Sequence, residues 1–135
     1  WTTQPGKERC LCCFAGIIYT MRKAFWWLPI GKAPAISSQQ LKQWLEVYPA
    51  LQLVDARTTL EYQQGTLAGA IHAPLTEMPV SLERLTLDPN QPVVMLCLSG
   101  HRSLPGTRWL RARGYQAYSL KGGLLAWKAA GFSLK

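Results

Sequence analysis

Residues 37–48, SSQQLKQWLEVY, repeat their apolar positions at helical spacing, with Leu41, Trp44, Leu45 and Tyr48 on one stripe. Ser37 followed three residues later by Gln40 is a capping-box pattern, so a helix packed by one face is predicted from that serine onward. LQLVDA then reads as a short buried strand that ends in Asp55, and TTLEYQQG as a short helix stopped by Gly65. AGAIHAP supplies another short strand before Pro74. VSLERLTLDPN reads as one or two helical turns ended by Asp88-Pro89-Asn90, and PVVMLCL as a continuously apolar strand. A helix through Thr107, Trp109, Leu110 and Arg113 stops at Gly114. YQAYSL is the last strand and GGLLAWKAAGF the last helix.

Short apolar strands that alternate with helices, with no two-residue hairpin turns between them, predict βαβ units and a parallel sheet covered on both faces. The pattern holds from residue 36 to residue 135, and the remaining residues, 1–35, look different. In that extension an apolar run from Cys10 to Met21 is too short to span a bilayer as a helix. Three readings stay open for it: a tail without function, in which Met21 marks the natural start; a signal-like or interfacial segment, helped by AFWWLPIGKAPA; or a metal or redox role for Cys10, Cys12 and Cys13. A chain that begins at Trp1 reads as a fragment or a processed product. Membrane association, if present, is assigned to residues 1–35.

The chain has 135 residues, the size of one domain with a sound core, and carries a net charge of +8. Residues 1–36 hold five Lys or Arg and one Glu, and residues 37–135 hold ten and six, so each part contributes about +4. Arg102, Arg108, Arg111, Arg113 and Lys121 follow Cys97 closely, which favours an anionic ligand or partner. No aromatic-basic RNA motif, zinc finger or paired-helix signature accompanies that charge, so nucleic acid is not expected. Cys10, Cys12 and Cys13 are too crowded for a disulfide framework and lack a second Cys or His pair to complete a zinc site, so no metal is required.

Cys97 ends a strand and begins the stretch CLSGHRS. Ligands of open parallel sheets gather beyond the carboxyl ends of the strands, where Asp55 also lies. A short loop from such an end into a helix aims backbone N–H groups at one spot, with the helix dipole behind them. Gly100 lets the loop curl tightly. A thiolate at Cys97 would be stabilised there by the amides, by Arg102 and by a protonated His101. Alone, a cysteine in an apolar strand would read as a small buried hydrophobe.

CLSGHRS resembles the active-site loop C-x-x-G-x-R-S of the rhodanese-like sulfurtransferases. LVDARTTLEYQQGTLAGAIHAP is similar to that family's upstream signature, through Asp55, Arg57, Glu61, Gly65, Gly69, Ala70, Ile71 and Pro74. KGGLLAWKAAGF is similar to its C-terminal motif, through Gly122, Gly123, Trp127 and Gly131. The three segments occur in the family's order, and the resemblance covers Ile36 to Phe132. It implies an α/β rhodanese-like fold, a five-stranded parallel sheet flanked by helices on both faces. It also implies a thiosulfate-type sulfurtransferase working through a Cys97 persulfide, with a small anionic sulfur donor and a thiophilic acceptor: cyanide, a thiol or a protein cysteine. The loop Leu98, Ser99, Gly100, His101, Arg102 and Ser103 would hold the persulfide. Glu61 would pair with Arg102, and Arg57 would line the rim or be a solvated helix-start arginine. No cofactor is implied. His101 is read as tuning charge, His72 as structural, and Trp109 and Trp127 as core anchors.

Where relatives place alanines after the loop, this chain has Leu104-Pro105-Gly106, which predicts a helix that begins late or irregularly. Phosphatases and arsenate reductases of similar fold are disfavoured, because their loop places five residues between Cys and Arg and here four separate Cys97 from Arg102. A dedicated sulfur relay or a binding module remains the alternative to a turnover enzyme. A thiol that must stay reduced makes the cytoplasm the expected compartment, with an exported or membrane-attached form as the alternative.

Overall fold

The computed structural model describes residues 33–135. The extension readings, including Cys10, Cys12 and Cys13, lie outside the described residues. Five strands form one parallel sheet: β1 (Ala35–Ile36), β2 (Gln52–Asp55), β3 (Ile71–His72), β4 (Val93–Leu96) and β5 (Ala117–Leu120), in the spatial order β1-β5-β4-β2-β3. Among the described residues five α-helices connect or follow them: α1 (Ser38–Val47), α2 (Thr59–Gln64), α3 (Val80–Glu83), α4 (Leu104–Ala112) and α5 (Gly123–Ala129), with one 3-10 turn at Leu75–Glu77.

Alternation along the strands divides the core into two layers. Leu53, Val94, Leu96 and Leu120 pack with Leu41 of α1 and with Leu124 and Trp127 of α5. Val54, Val93, Met95 and Ala117 face the other way, onto Leu82 of α3 and onto Trp109 and Leu110 of α4. Helices therefore cover both faces, as the continuously apolar β4 requires: all four of its residues are buried. The predicted capping box at Ser37 and Gln40 is present in both directions.

Two features differ from the sequence expectation. β1 was not predicted; it is two residues long, too short for any periodicity to show. Its Ala35 pairs with Ser119, and the Pro34 carbonyl accepts the Ser119 N–H, so the sheet draws on a residue assigned to the extension. The second is α4, which begins immediately after the loop and not late. Pro105 sits in its first turn, where no N–H is needed, and Thr107 anchors the turn by donating both its N–H and its hydroxyl to the Ser103 carbonyl, at 3.0 and 2.8 Å. Gly106 is buried, and a Cβ there would come within 2.7 Å of the Met95 methyl and 3.3 Å of the Met78 sulfur. The methionines occupy the volume that an alanine would need.

Among the described residues no helix is long and apolar enough to cross a membrane.

Candidate active site

Register fixes the site. Asp55 of β2 lies opposite Leu96 of β4, so Asp55 and Cys97 leave the same edge of the sheet. Met95 lies opposite Ser119 of β5, and Cys97, two residues further along, points to the same face as that pair, toward the start of α4. Cys97 has no exposed surface. Its sulfur accepts the Gly100 N–H at 2.9 Å and lies 3.5 Å from the Ser103 hydroxyl. Ser99 and His101 form the exposed crest of the loop, and Leu98, Gly100 and Arg102 are half-buried.

The loop is locked from two sides. On one side Arg102 makes a two-pronged ion pair with Glu61 of α2, at 2.7 and 2.8 Å. Glu61 is itself held by a second capping box: it accepts from the Thr58 hydroxyl at 3.0 Å, and its own N–H donates to that oxygen. The Arg102 hydrogen bonds hold the Glu61 carboxyl down at about 2, against an ordinary 4.5, with the Thr58 bonds adding to the lowering and burial opposing it. The Glu61 bonds raise Arg102 above its ordinary value in return, and the charges of Cys97 and Asp55 act in the same direction.

On the other side, α5 grips the loop backbone. The N–H groups of Leu124 and Leu125 donate to the carbonyls of Cys97 and Leu98, at 2.8 and 3.0 Å. Gly122 and Gly123, both with positive φ, make that approach sterically open: a Cβ on Gly123 would overlap the Cys97 and Leu98 carbonyl oxygens. Gly100 has the same requirement, since a Cβ there would lie 2.9 Å from the Gly122 nitrogen.

Arg57 occupies a different place from the one expected. It is neither a rim residue nor a solvated one but is 5% exposed, bound through its side chain to Asp55 at 2.7 to 3.1 Å and to the Gly65 carbonyl. Asp55, with no exposed surface, also accepts from the Arg57 backbone N–H and the Thr66 hydroxyl. A buried carboxylate at a strand end needs such a set of donors, and a guanidinium two residues away supplies most of them. His72 reads as structural: its ring nitrogen contacts the Arg57 carbonyl at 2.8 Å, and the ring stacks on Tyr62. Trp109 and Trp127 are buried core residues.

Two members of the cationic cluster inferred from the sequence are engaged away from the loop. Arg111 donates to the Ala117 carbonyl and lies over Tyr118, and Arg113 lies over Trp109 and pairs with Glu83. Both sit in or just beyond the last turn of α4, about 10 Å or more from its first residue along the axis. Near the sulfur, Arg57 is matched by Asp55 and Arg102 by Glu61, so these four side chains carry no net charge. The anion-favouring groups are the Gly100 N–H and the N-terminus of α4, reinforced by a guanidinium already committed to a carboxylate.

Ser119 and Thr58 were missed as site residues, and Gly122 and Gly123 were noted only as motif positions. Ser119 had one usable signal, a polar residue amid an apolar strand. Thr58 had another, the Thr-x-x-Glu spacing of a capping box.

The Glu61–Arg102 pair gives a pH test. A carboxyl lowered on folding adds stability above its unfolded value, and that stability is lost as pH falls from about 4.5 through about 2. Because the side chains stay 26% and 31% exposed, the contribution is about 1 kcal/mol. Glu61→Gln is expected to be less stable than wild type by that amount at pH 7, with the gap closing toward pH 2 in urea titrations. A gap independent of pH would show that the pair is not its source.

The family model of the Rhodanese-like domain matches residues 37–130. A protein named sulfurtransferase from Allochromatium vinosum is 33% identical over 100 residues, covering 73% of this chain and 92% of that protein. The crystal structure of a rhodanese-like domain protein from Staphylococcus aureus matches with a TM-score of 0.65 at 29% identity, covering 76% of this chain and 98% of that one. A rhodanese-related protein from Thermoplasma volcanium shares the fold, with a TM-score of 0.67 at 22% identity, covering 76% of this chain and 97% of that one.

Proposed function

The chain belongs to the rhodanese-like domain family, with relatives named as sulfurtransferases, and we propose that it moves sulfane sulfur from a small anionic donor to a thiophilic acceptor through a persulfide on Cys97. The observation that carries this reading is the Gly100 N–H on the Cys97 sulfur, at 2.9 Å, in a loop locked by Glu61 and by α5.

With thiosulfate as donor, the Cys97 thiolate attacks the outer sulfur. The new S–S bond forms as the sulfur–sulfur bond of the donor breaks, and sulfite leaves with the bonding pair. Cyanide, a thiolate or a protein cysteine then attacks the outer persulfide sulfur, and Cys97 departs as the thiolate. With cyanide the product is thiocyanate. Neither step needs a general base once the thiol has ionised, which agrees with the exposed position of His101 on the crest. The amide on the sulfur is already in place in the resting loop, so it stabilises the Cys97 thiolate, nucleophile of the first step and leaving group of the second, without reorganisation. The burial of Cys97 favours donors whose reactive sulfur projects beyond the rest of the molecule. A reducing compartment such as the cytoplasm suits this cycle.

Intact-mass and peptide-level mass spectrometry of the reduced protein test the reading. Thiosulfate is expected to add one sulfur atom to the peptide that contains Cys97, and cyanide to remove it. A folded protein that gains no sulfur at Cys97 would overturn thiosulfate as donor and favour a dedicated relay from a protein partner.

A further inference from the structure

Three small polar groups form a chain of contacts at the base of the loop, all sealed from solvent: Cys97 and Ser103 have no exposed surface and Ser119 has 1%. The Ser103 and Ser119 hydroxyl oxygens are 2.6 Å apart, and Ser103 is also 3.5 Å from the Cys97 sulfur and 3.3 Å from the Gly100 carbonyl. We infer that Ser119, in the middle of the sheet, is a positioning residue that orders the Ser103 proton and so makes Ser103 the second donor to the Cys97 thiolate and persulfide. The inference rests on Cys97 being the sulfur carrier.

The direction of the bonds follows from proton counting. A buried hydroxyl has one proton to place, and the side-chain partner recorded for Ser119 among the described residues is Ser103. Ser119 therefore donates and Ser103 accepts. The Ser103 proton then has two acceptors within reach. While Cys97 is a thiol, its S–H points at the Ser103 oxygen, and Ser103 donates to the Gly100 carbonyl. Once the sulfur is ionised or carries a persulfide, the S–H is gone, and Ser103 turns its proton to the sulfur. Gly100 contributes at both ends, because its N–H is already on the sulfur and its carbonyl is the acceptor that Ser103 leaves. A hydroxyl that accepts one hydrogen bond donates a stronger one, so Ser119 strengthens the bond to the anion without touching it.

The charged and titratable groups on the elements packed around the sulfur are His101 and Arg102 of the loop, Asp55 and Arg57 at the end of β2, Glu61 of α2 behind Arg102, Arg108 of α4 and Lys121 between β5 and α5. Replacing Ser119 leaves all seven in place, so a change in the pH dependence of Cys97 reports on the hydroxyl.

The test follows the rate of iodoacetamide alkylation at the Cys97 peptide against pH in wild type, Ser119→Ala, Ser103→Ala and the double variant. Thermal melts accompany each protein. Ser119→Ala is expected to raise the midpoint of the profile by about half to one pH unit, a three- to tenfold change in the thiol–thiolate equilibrium. Ser103→Ala is expected to raise it further, and the double variant to match Ser103→Ala, because the two hydroxyls act in series. A Ser119→Ala midpoint equal to wild type overturns the inference, as does an equal shift in the Ser103→Ala background. In either case wild-type uptake of sulfur would leave the sulfurtransferase reading standing. A wild-type Cys97 that neither alkylates nor takes up sulfur overturns both.

Discussion

Cys97→Ser is expected to move no measurable sulfur, a fall on the order of ten-thousandfold or more in thiosulfate-dependent thiocyanate formation, because the variant lacks the atom that bonds to sulfur. The fold is expected to survive. A serine oxygen at this position can still accept the Gly100 N–H and can still exchange a hydrogen bond with Ser103, so the cradle keeps its partners. The stability change is expected within about 2 kcal/mol, read from urea titrations beside the activity assay. Residual turnover near the wild-type rate in a folded Cys97→Ser protein would move the chemistry to Cys10, Cys12 or Cys13 and overturn the assignment.

Gly123→Ala is expected to damage both stability and activity. At φ +62 an alanine is strained by about 1–2 kcal/mol, and its Cβ would overlap the backbone carbonyls of Cys97 and Leu98. Relieving the overlap means moving the start of α5 away from the loop, which breaks the Leu124 and Leu125 hydrogen bonds to Cys97 and Leu98. A loss of about 3 kcal/mol or more follows, a fall in Tm of about 10 °C or more. Activity is expected to fall even at temperatures where the variant stays folded, since the displaced carbonyls carry Cys97 with them. Gly131→Ala serves as the control: it also has positive φ, but nothing lies within 4 Å of its Cβ position. If Gly123→Ala and Gly131→Ala lose the same stability and activity, backbone strain alone explains both, and α5 does not hold the loop.

These contrasts mark what could be read from the residues. The alternation of strands and helices, the parallel sheet and the placement of Asp55 and Cys97 on one edge were legible because each rests on local periodicity and turn chemistry. The Glu61–Arg102 pair came from the family resemblance and not from spacing, as forty-one positions separate the two residues. Arg57 was misjudged because an arginine after a strand end is ordinarily exposed; only the fold shows that Asp55 is buried and needs it. Gly106 was read through helix propensity, yet its reason for being glycine is the volume of Met95 across the layer. Ser119 escaped because its role depends on sheet register, and pairing between strands is not written in either strand alone.

The sheet order also sets a schedule for the cell. Among the described residues the first strand, β1, pairs with the last, β5, and the backbone of the Cys97 loop is held by the last helix, α5. A ribosome therefore delivers Cys97 and its loop before it delivers α5, which holds the loop backbone. Until α5 has emerged, the nascent chain carries an ordinary cysteine with no assembled site for a sulfur anion. On the proposed persulfide reading, sulfur loading is expected to begin only once α5 is in place, and a truncated chain that lacks α5 is expected to take up less sulfur from thiosulfate than the whole domain.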